Sequence, residues 1–266
     1  MLTTTLFLLL VLLAFAVPVA ATLGVLGIAL DQLYSNGRLL IGMADTTWLN
    51  NIDSILVAIP MFVMLGEILL RAGVAEKMYN SLSRWLAWLP GGNMHANVGS
   101  CALFAATCGS SVATAATVGI VALPEIQRRG YNERLFLGTI AAGGTLGILI
   151  PPSINMIIYG LLTNSSVPQL YLAGFIPGFM LAGMFSLCVL VLCIIKPAWG
   201  GQKISFDLAA CIASLPNLLP PVGIFLLVVG SIYAGFATPT EAASLGVVGA
   251  ILLAAANGAL SWAMIG

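Results

Sequence analysis

Charged side chains are scarce in this sequence: only 7% of its 266 residues are Asp, Glu, Lys or Arg, and 60% are hydrophobic. Soluble domains carry about 25% charged residues. Between Arg134 and Lys196 the chain has no charged residue at all, and that stretch is long enough for two helices of the roughly 20 apolar residues that cross a bilayer. The composition therefore excludes a soluble protein and predicts an all-α polytopic membrane protein.

Histidine and paired cysteines are lacking as well. The chain has one histidine, His95, and its five cysteines form no CxxC pair, which excludes the usual zinc and haem sites. No nucleophile and base stand out as an intramembrane protease would need, so we predict that the protein is not an enzyme and has no cofactor. The net charge is zero and the chain has no basic run, which argues against nucleic acid as a partner. We predict that the protein contacts membrane lipid.

Apolar runs separated by charged or turn residues predict the membrane spans. The first run looks like a signal peptide, but it lacks a basic start and is too long, so we interpret it as a retained span. A segment with Trp85 and Trp88 is typical of a helix lying in the membrane interface. The predicted spans are 5–30, 55–70, 135–162, 170–195, 213–236 and 241–262, and the predicted interfacial helix is 77–90.

The segment 97–123 lies between the second and third of these spans and is predicted to be a re-entrant hairpin. If it crossed the membrane once, the basic residues on its two sides would face opposite compartments. If it enters and leaves on one side, only Arg38 opposes the other basic residues, and the positive-inside rule favours this arrangement and makes the basic side cytoplasmic. The residues on that side are Arg71, Lys77, Arg84, Arg128, Arg129, Arg134, Lys196 and Lys203.

The middle of the predicted hairpin, TCGSSVATAATVG at 107–119, consists of small and hydroxylated residues. A turn inside the bilayer is tolerated only where protein or a watery cavity meets its backbone groups. Gly109 is predicted to make this turn. Ser110, Ser111 and Thr114, with nearby backbone carbonyls, are predicted to contribute to an ion or substrate site. The alternative is a small-residue face that serves only helix packing.

A second interruption lies in AAGGTLGILIPPSINMIIYG at 141–160. Pro151 and Pro152 lack backbone donors and disfavour helix before them, while Gly147 loosens the approach and Ser153 and Asn155 add polar groups. We predict an unwound segment with half-helix ends, which is where secondary transporters bind coupling ions and anionic substrate groups. The alternative is a simple proline kink.

A third interruption, AGFATPTEAAS at 234–244, separates the last two predicted spans. Pro239, Thr240 and Glu241 are candidates for gating or for support of the site. The alternative is that Glu241 marks a helix start, where an acidic side chain suits the helix dipole.

Several stretches together resemble the large membrane subunit of the tripartite ATP-independent periplasmic (TRAP) transporters. They occur in the family's order and cover most of the chain: IPMFVMLGEILLRAG, LPGGNMHANVGSCALFAATCGSSVATAATVGIVALPEIQRRGY, GTLGILIPPSINMIIYG and FATPTEAAS. Cys108 departs from the small residue or serine expected in the hairpin motif. The resemblance implies an inverted-repeat transporter fold with discontinuous helices, of which this chain holds the first half and the start of the second. Because family members are much longer, we expect the chain to be truncated.

The resemblance also implies a function. It implies sodium-coupled uptake of a small organic acid, such as a C4-dicarboxylate or sialic acid, by an elevator mechanism in the bacterial inner membrane. A periplasmic binding protein would deliver the substrate and a small four-helix membrane subunit would complete the transporter. Na⁺ would lie between the hairpin tip and the proline break, held by Ser110, Ser111 and nearby carbonyls. The alternative is a non-transporting membrane scaffold in which the interruptions serve packing.

Overall fold

A computed structural model describes residues 1–35, 42–43, 45, 47–48, 51–202 and 207–259 of the chain. Over these ranges the regular structure is helical, and β pairing is limited to one isolated bridge between Tyr131 and Gly200. The predicted all-α class is therefore confirmed. The chain forms two units, Met1–Asp53 and Ser54–Gly266, and each is described by itself.

The first unit contains two helices, α1 (Leu2–Ala14) and α2 (Val19–Tyr34), where one span was predicted over 5–30. Ala16 adopts a left-handed conformation between them, with φ of 55°. Pro18 directly precedes α2, and proline has no backbone N–H with which to continue a helix. The apolar run is continuous in composition, but its backbone is interrupted at this proline.

The second unit is built from helices of very different lengths. In its described part they are α3 (Ala58–Arg71), α4 (Val74–Leu86), α5 (Asn93–Cys108), α6 (Ser111–Arg129), α7 (Glu133–Gly144), α8 (Ile154–Thr163), α9 (Val167–Ile195), α10 (Leu208–Ser214), α11 (Leu219–Tyr233) and α12 (Pro239–Ala256).

Three helical segments in the described residues are long and apolar enough to cross a membrane: Ser54–Arg71, which contains α3, together with α9 and α12. The consecutive segments Leu208–Asn217 and Leu219–Tyr233 would form a fourth, with a bend of 45°. The run predicted as a span over 135–162 is divided between α7 and α8. These helices confirm a multi-pass membrane protein.

Helix α5 lies at the centre of the second unit, where it contacts α3, α4, α6, α7, α9 and α11. Thirteen of its 16 residues are buried. Asn97, one of its buried polar side chains, is bonded across two helix contacts: its amide donates to Thr139 Oγ1 at 2.9 Å, and its Oδ1 accepts from the Tyr79 hydroxyl at 3.0 Å. Such pairing offsets the desolvation of a buried polar group, so these bonds stabilise the contacts of α5 with α4 and α7.

The start of α5 and the end of α6 lie at the same end of this unit. The Asn93 backbone N–H donates to the Tyr131 hydroxyl at 2.9 Å, and its side-chain amide donates to Glu125 at 3.1 Å. Glu125 also pairs with Arg129. Burial raises the pKa of Tyr131 above its ordinary value, so its phenol is neutral at physiological pH. The two helices thus form a hairpin that extends beyond the predicted 97–123, because these polar contacts hold its base together.

Candidate functional site

The tip of the hairpin is a two-residue connection between α5 and α6. Gly109 follows α5 in a left-handed conformation, with φ of 64° and ψ of 11°. Its N–H donates to the Ala105 carbonyl at 2.9 Å. Glycine adopts this conformation without the steric cost that other residues meet. Ser110 is then extended, and α6 begins at Ser111. The predicted turn is therefore present at Gly109.

The proline break separates α7 from α8. A 3₁₀ turn over Thr145–Ile148 follows α7, and 149–153 have no regular helix. The peptide bond between Pro151 and Pro152 is cis. The Ser153 hydroxyl donates to the Ile148 carbonyl at 2.8 Å, and this hydrogen bond links the two ends of the non-helical segment. The structure contains an unwound segment here and not a kinked continuous helix.

The hairpin tip and the proline break pack directly against each other. The Ile154 N–H donates to the Gly109 carbonyl at 3.3 Å. A Cβ added to Gly109 would collide with the Pro152 carbonyl oxygen and lie 3.3 Å from the Ser153 Cα. These backbones approach so closely because position 109 carries no side chain.

Gly147 permits a second close approach on the other side of the tip. A Cβ at this position would lie 3.0 Å from the Ser111 backbone nitrogen and 3.1 Å from the Ser110 carbonyl carbon. Two glycines, one in the tip and one before the prolines, thereby bring two irregular backbone segments together. In such segments some peptide carbonyls and N–H groups lack the hydrogen-bond partners that they would have inside a regular helix.

The two serines of the tip have different surroundings. Ser110 Oγ accepts a hydrogen bond from the Ala113 N–H at 3.3 Å and so caps α6. Ser111 Oγ is buried and has no hydrogen-bond partner. Leaving a buried polar group unpaired costs about 1–3 kcal/mol, so this hydroxyl is available to a ligand. Thr114 is fully buried, with its hydroxyl 3.6 Å from Cys108 Sγ.

Ser111 also borders an open groove of about 580 Å³ between α6 and α7. Its walls are made of small side chains, and Val112 beside it is 81% exposed. The groove therefore gives a shallow approach to the tip from outside the unit. Its lining residues are Ser111, Val112, Ala115, Ala116, Ala141, Gly144 and Thr145.

The remaining predicted residues lie elsewhere. Asn155 is exposed in the first turn of α8. At the start of α12, the Thr238 N–H donates to Glu241 at 2.8 Å and the Glu241 N–H donates to the Thr238 hydroxyl at 3.3 Å, which is a capping box. Thr240 donates to the Ser54 carbonyl at 3.1 Å, and Pro239 is the buried first residue of the helix. These contacts account for Glu241 as a helix start.

Sequence reasoning missed Tyr171 of α9. This side chain is fully buried, and its hydroxyl has no hydrogen-bond partner. A tyrosine in an apolar span resembles an aromatic core residue. The one feature of the sequence that could have indicated this residue is its phenolic hydroxyl in an apolar span, because a buried tyrosine hydroxyl usually has a hydrogen-bond partner.

The polar atoms at the tip and break suit a hard cation. In the described part of the chain no three His, Cys, Asp or Glu side chains come together. The Ser111 hydroxyl is unpartnered at the tip, and the carbonyls of Gly109 and Pro152 lie at the contact between tip and break. Carbonyl oxygens replace the hydration shell of alkali cations in membrane proteins, so a monovalent cation is the ligand that donor atoms of this kind would suit.

Comparison with known proteins gives the same family throughout. Residues 6–265 match the family model described as the DctM component of the tripartite ATP-independent periplasmic transporter. The C4-dicarboxylate TRAP transporter large permease protein DctM of Vibrio cholerae is 34% identical over 90% of this chain and 52% of its own length. Its namesake from Pseudomonas aeruginosa is 36% identical over 73% of this chain and 45% of its own length.

The ectoine TRAP transporter large permease protein TeaC of Halomonas elongata is 34% identical over 74% of this chain and 46% of its own length. The chain thus spans about half the length of the curated relatives it matches. The family model matches nearly all residues of the chain, and a helical hairpin and a broken helix lie in the predicted places. The chain belongs to the DctM family of TRAP transporter large permease components.

Proposed function

We propose that this chain takes part in sodium-coupled, secondary active uptake of a small organic acid. The observation that carries the proposal is the buried, unpartnered Ser111 hydroxyl in the hairpin tip, on a residue whose backbone nitrogen is closely approached by Gly147 just before the proline break. Discontinuous segments that meet within the membrane are where secondary transporters bind their coupling ions.

Na⁺ binds, in this proposal, to the Ser111 hydroxyl and to backbone carbonyls of the tip and break. Ser110 contributes through its backbone, because its hydroxyl already caps α6. Gly109 and Pro152 place carbonyl oxygens at the contact. Ion binding would then hold the two segments together, so the contact between tip and break would depend on whether the ion is bound.

An elevator mechanism fits this arrangement. The hairpin packs on α7 and on the 3₁₀ turn that precedes the break, and α9 contacts α5, α7 and α8. The site is therefore surrounded by helices that pack on one another, and we propose that they carry it across the membrane as one body.

The substrate and partners in this proposal are suggested by the names of the relatives. Relatives are named for C4-dicarboxylate, ectoine, sialic acid and isethionate, of which the first three are small molecules that carry a carboxylate and the fourth carries a sulfonate. We propose the carboxylate class for this chain, delivered by a periplasmic binding protein and transported with a small four-helix membrane subunit.

Uptake into proteoliposomes tests the function. The complete transporter containing this chain is supplied with labelled succinate, sialic acid or ectoine, together with its binding protein. We expect accumulation of one of them under an inward sodium gradient and not under an equal potassium gradient. Uptake that is indifferent to the cation would contradict sodium coupling, and no uptake of any of the three would favour the scaffold.

Accessibility labelling tests the re-entrant hairpin. Trp88 is 63% exposed shortly before α5 and Gln127 is exposed near the end of α6. In a variant whose exposed Cys188 is replaced by alanine, Trp88→Cys and Gln127→Cys should both react only with reagent supplied from the cytoplasm. Ser166→Cys, exposed between α8 and α9, should react only from the opposite side. Reaction of the two hairpin positions from opposite sides would show that the segment crosses the membrane.

A further inference from the structure

Tyr171 reaches the tip–break contact from α9. Two glycines on the same face of this helix let it approach the break closely. A Cβ at Gly174 would collide with the Leu149 carbonyl oxygen, and one at Gly178 would lie 2.8 Å from the Ile150 side chain. Positions 171, 174 and 178 follow the spacing of one helix face, so Tyr171 is directed toward the same irregular segment.

The Tyr171 hydroxyl is a donor without an acceptor. It lies beside the backbone amide of Ser153, but no group forms a hydrogen bond of acceptable geometry with it. The side chain is fully buried, so bulk water does not reach it freely. A buried donor in this condition is costly unless a ligand or an ordered water accepts its hydrogen bond.

The surroundings of this hydroxyl favour an anionic ligand over a cation. Ser153 is the N-cap residue of α8 and its side chain makes no capping bond. The first backbone N–H groups of a helix and its positive dipole end attract anions. A phenolic O–H and a helix N-terminus at one place both offer donors, and carboxylate oxygens are acceptors.

We propose that the Tyr171 hydroxyl donates a hydrogen bond to a carboxylate oxygen of the transported acid, at the start of α8. This role rests on the transport function proposed above. It divides the site into two parts: the Ser111 side, with its hydroxyl and carbonyls, takes the cation, and the Tyr171 side takes the acid. Bringing opposite charges to the two sides of one backbone contact would make each ligand favour the other.

Tyr171→Phe tests this division, because it removes one oxygen and keeps the ring. In the complete transporter we expect the half-saturating acid concentration, measured at saturating sodium, to rise about 10-fold. The half-saturating sodium concentration, measured at saturating acid, should be unchanged. The thermal stability of the ligand-free protein should stay the same or rise, since the variant no longer buries an unpaired donor.

Tyr79→Phe is the matched control. Its hydroxyl is equally buried but donates to Asn97 at 3.0 Å, so its loss should lower thermal stability and leave the half-saturating acid concentration unchanged. The proposal is overturned if Tyr171→Phe leaves acid affinity unchanged, if it raises the sodium requirement instead, or if it lowers stability as the control does. Wild-type protein that takes up none of the labelled succinate, sialic acid and ectoine would overturn the proposed function as well. Normal wild-type uptake with an unaffected variant overturns only the role of Tyr171.

Discussion

Gly109→Ala should lower sodium-driven uptake on the order of 100-fold, because in catalytic sites a misplacement of about 1 Å costs roughly that factor. The change has two effects on the tip. A left-handed φ of 64° is unfavourable for alanine by about 1–2 kcal/mol. In addition, the new Cβ would collide with the Pro152 carbonyl and lie 3.0 Å from the carbon that bears it. Backbone cannot give way as a flexible side chain can, so the tip must withdraw from the break.

Gly130→Ala separates these two effects. Gly130 ends α6 as Gly109 ends α5, with a φ of 66°, and an added Cβ there meets no atom within 4 Å. This control carries the conformational cost alone, so it should lower stability by about 1–2 kcal/mol and leave uptake close to normal. Uptake per folded transporter gives the comparison. Equal losses in the two variants would show that the contact between tip and break is unimportant.

Ser111→Ala should raise the half-saturating sodium concentration while leaving the protein folded. The variant removes the one hydroxyl at the tip that is buried without a partner. Losing one oxygen ligand should cost about 1–3 kcal/mol, which corresponds to roughly a 5- to 150-fold higher sodium requirement. Alanine is also a better helix former than serine, so thermal stability should not fall.

Two serine variants serve as controls for this result. Ser110 caps α6, and Ser110→Ala should therefore lower stability by about 0.5–2 kcal/mol with a smaller change in the sodium requirement. Ser100 has a buried, unpartnered hydroxyl like Ser111 but lies about two helical turns before the end of α5. Ser100→Ala should leave the sodium requirement unchanged. A normal sodium requirement in Ser111→Ala would leave only carbonyl coordination, or no ion at this tip.

Several features of the protein depend on composition and covalent structure, and these were predictable from the sequence. Long runs with almost no charged residues predict membrane helices whatever the tertiary arrangement. A soluble fold could not bury so much apolar surface away from water. The turn at Gly109 and the break at Pro151–Pro152 are equally local. Glycine lacks the Cβ that opposes a left-handed φ, and proline lacks the N–H that continues a helix. Pro18 likewise indicates an interruption of the helix, but the length of the apolar run around it led to the prediction of one continuous span over 5–30.

Other features exist only once distant segments meet, and the tertiary structure alone decided them. Ser110 and Ser111 are adjacent and chemically identical, yet the Ser110 hydroxyl caps α6 and the Ser111 hydroxyl is buried without a partner. Which serine caps is set by the φ and ψ of the turn, and the close approach of Gly147 to both serines exists only in the folded chain. Tyr171 is separated by many residues from the tip, and its unpaired hydroxyl becomes visible only after α9 packs on the break. Burial and hydrogen-bond pairing are properties of a three-dimensional neighbourhood, so no local pattern in the chain specifies them.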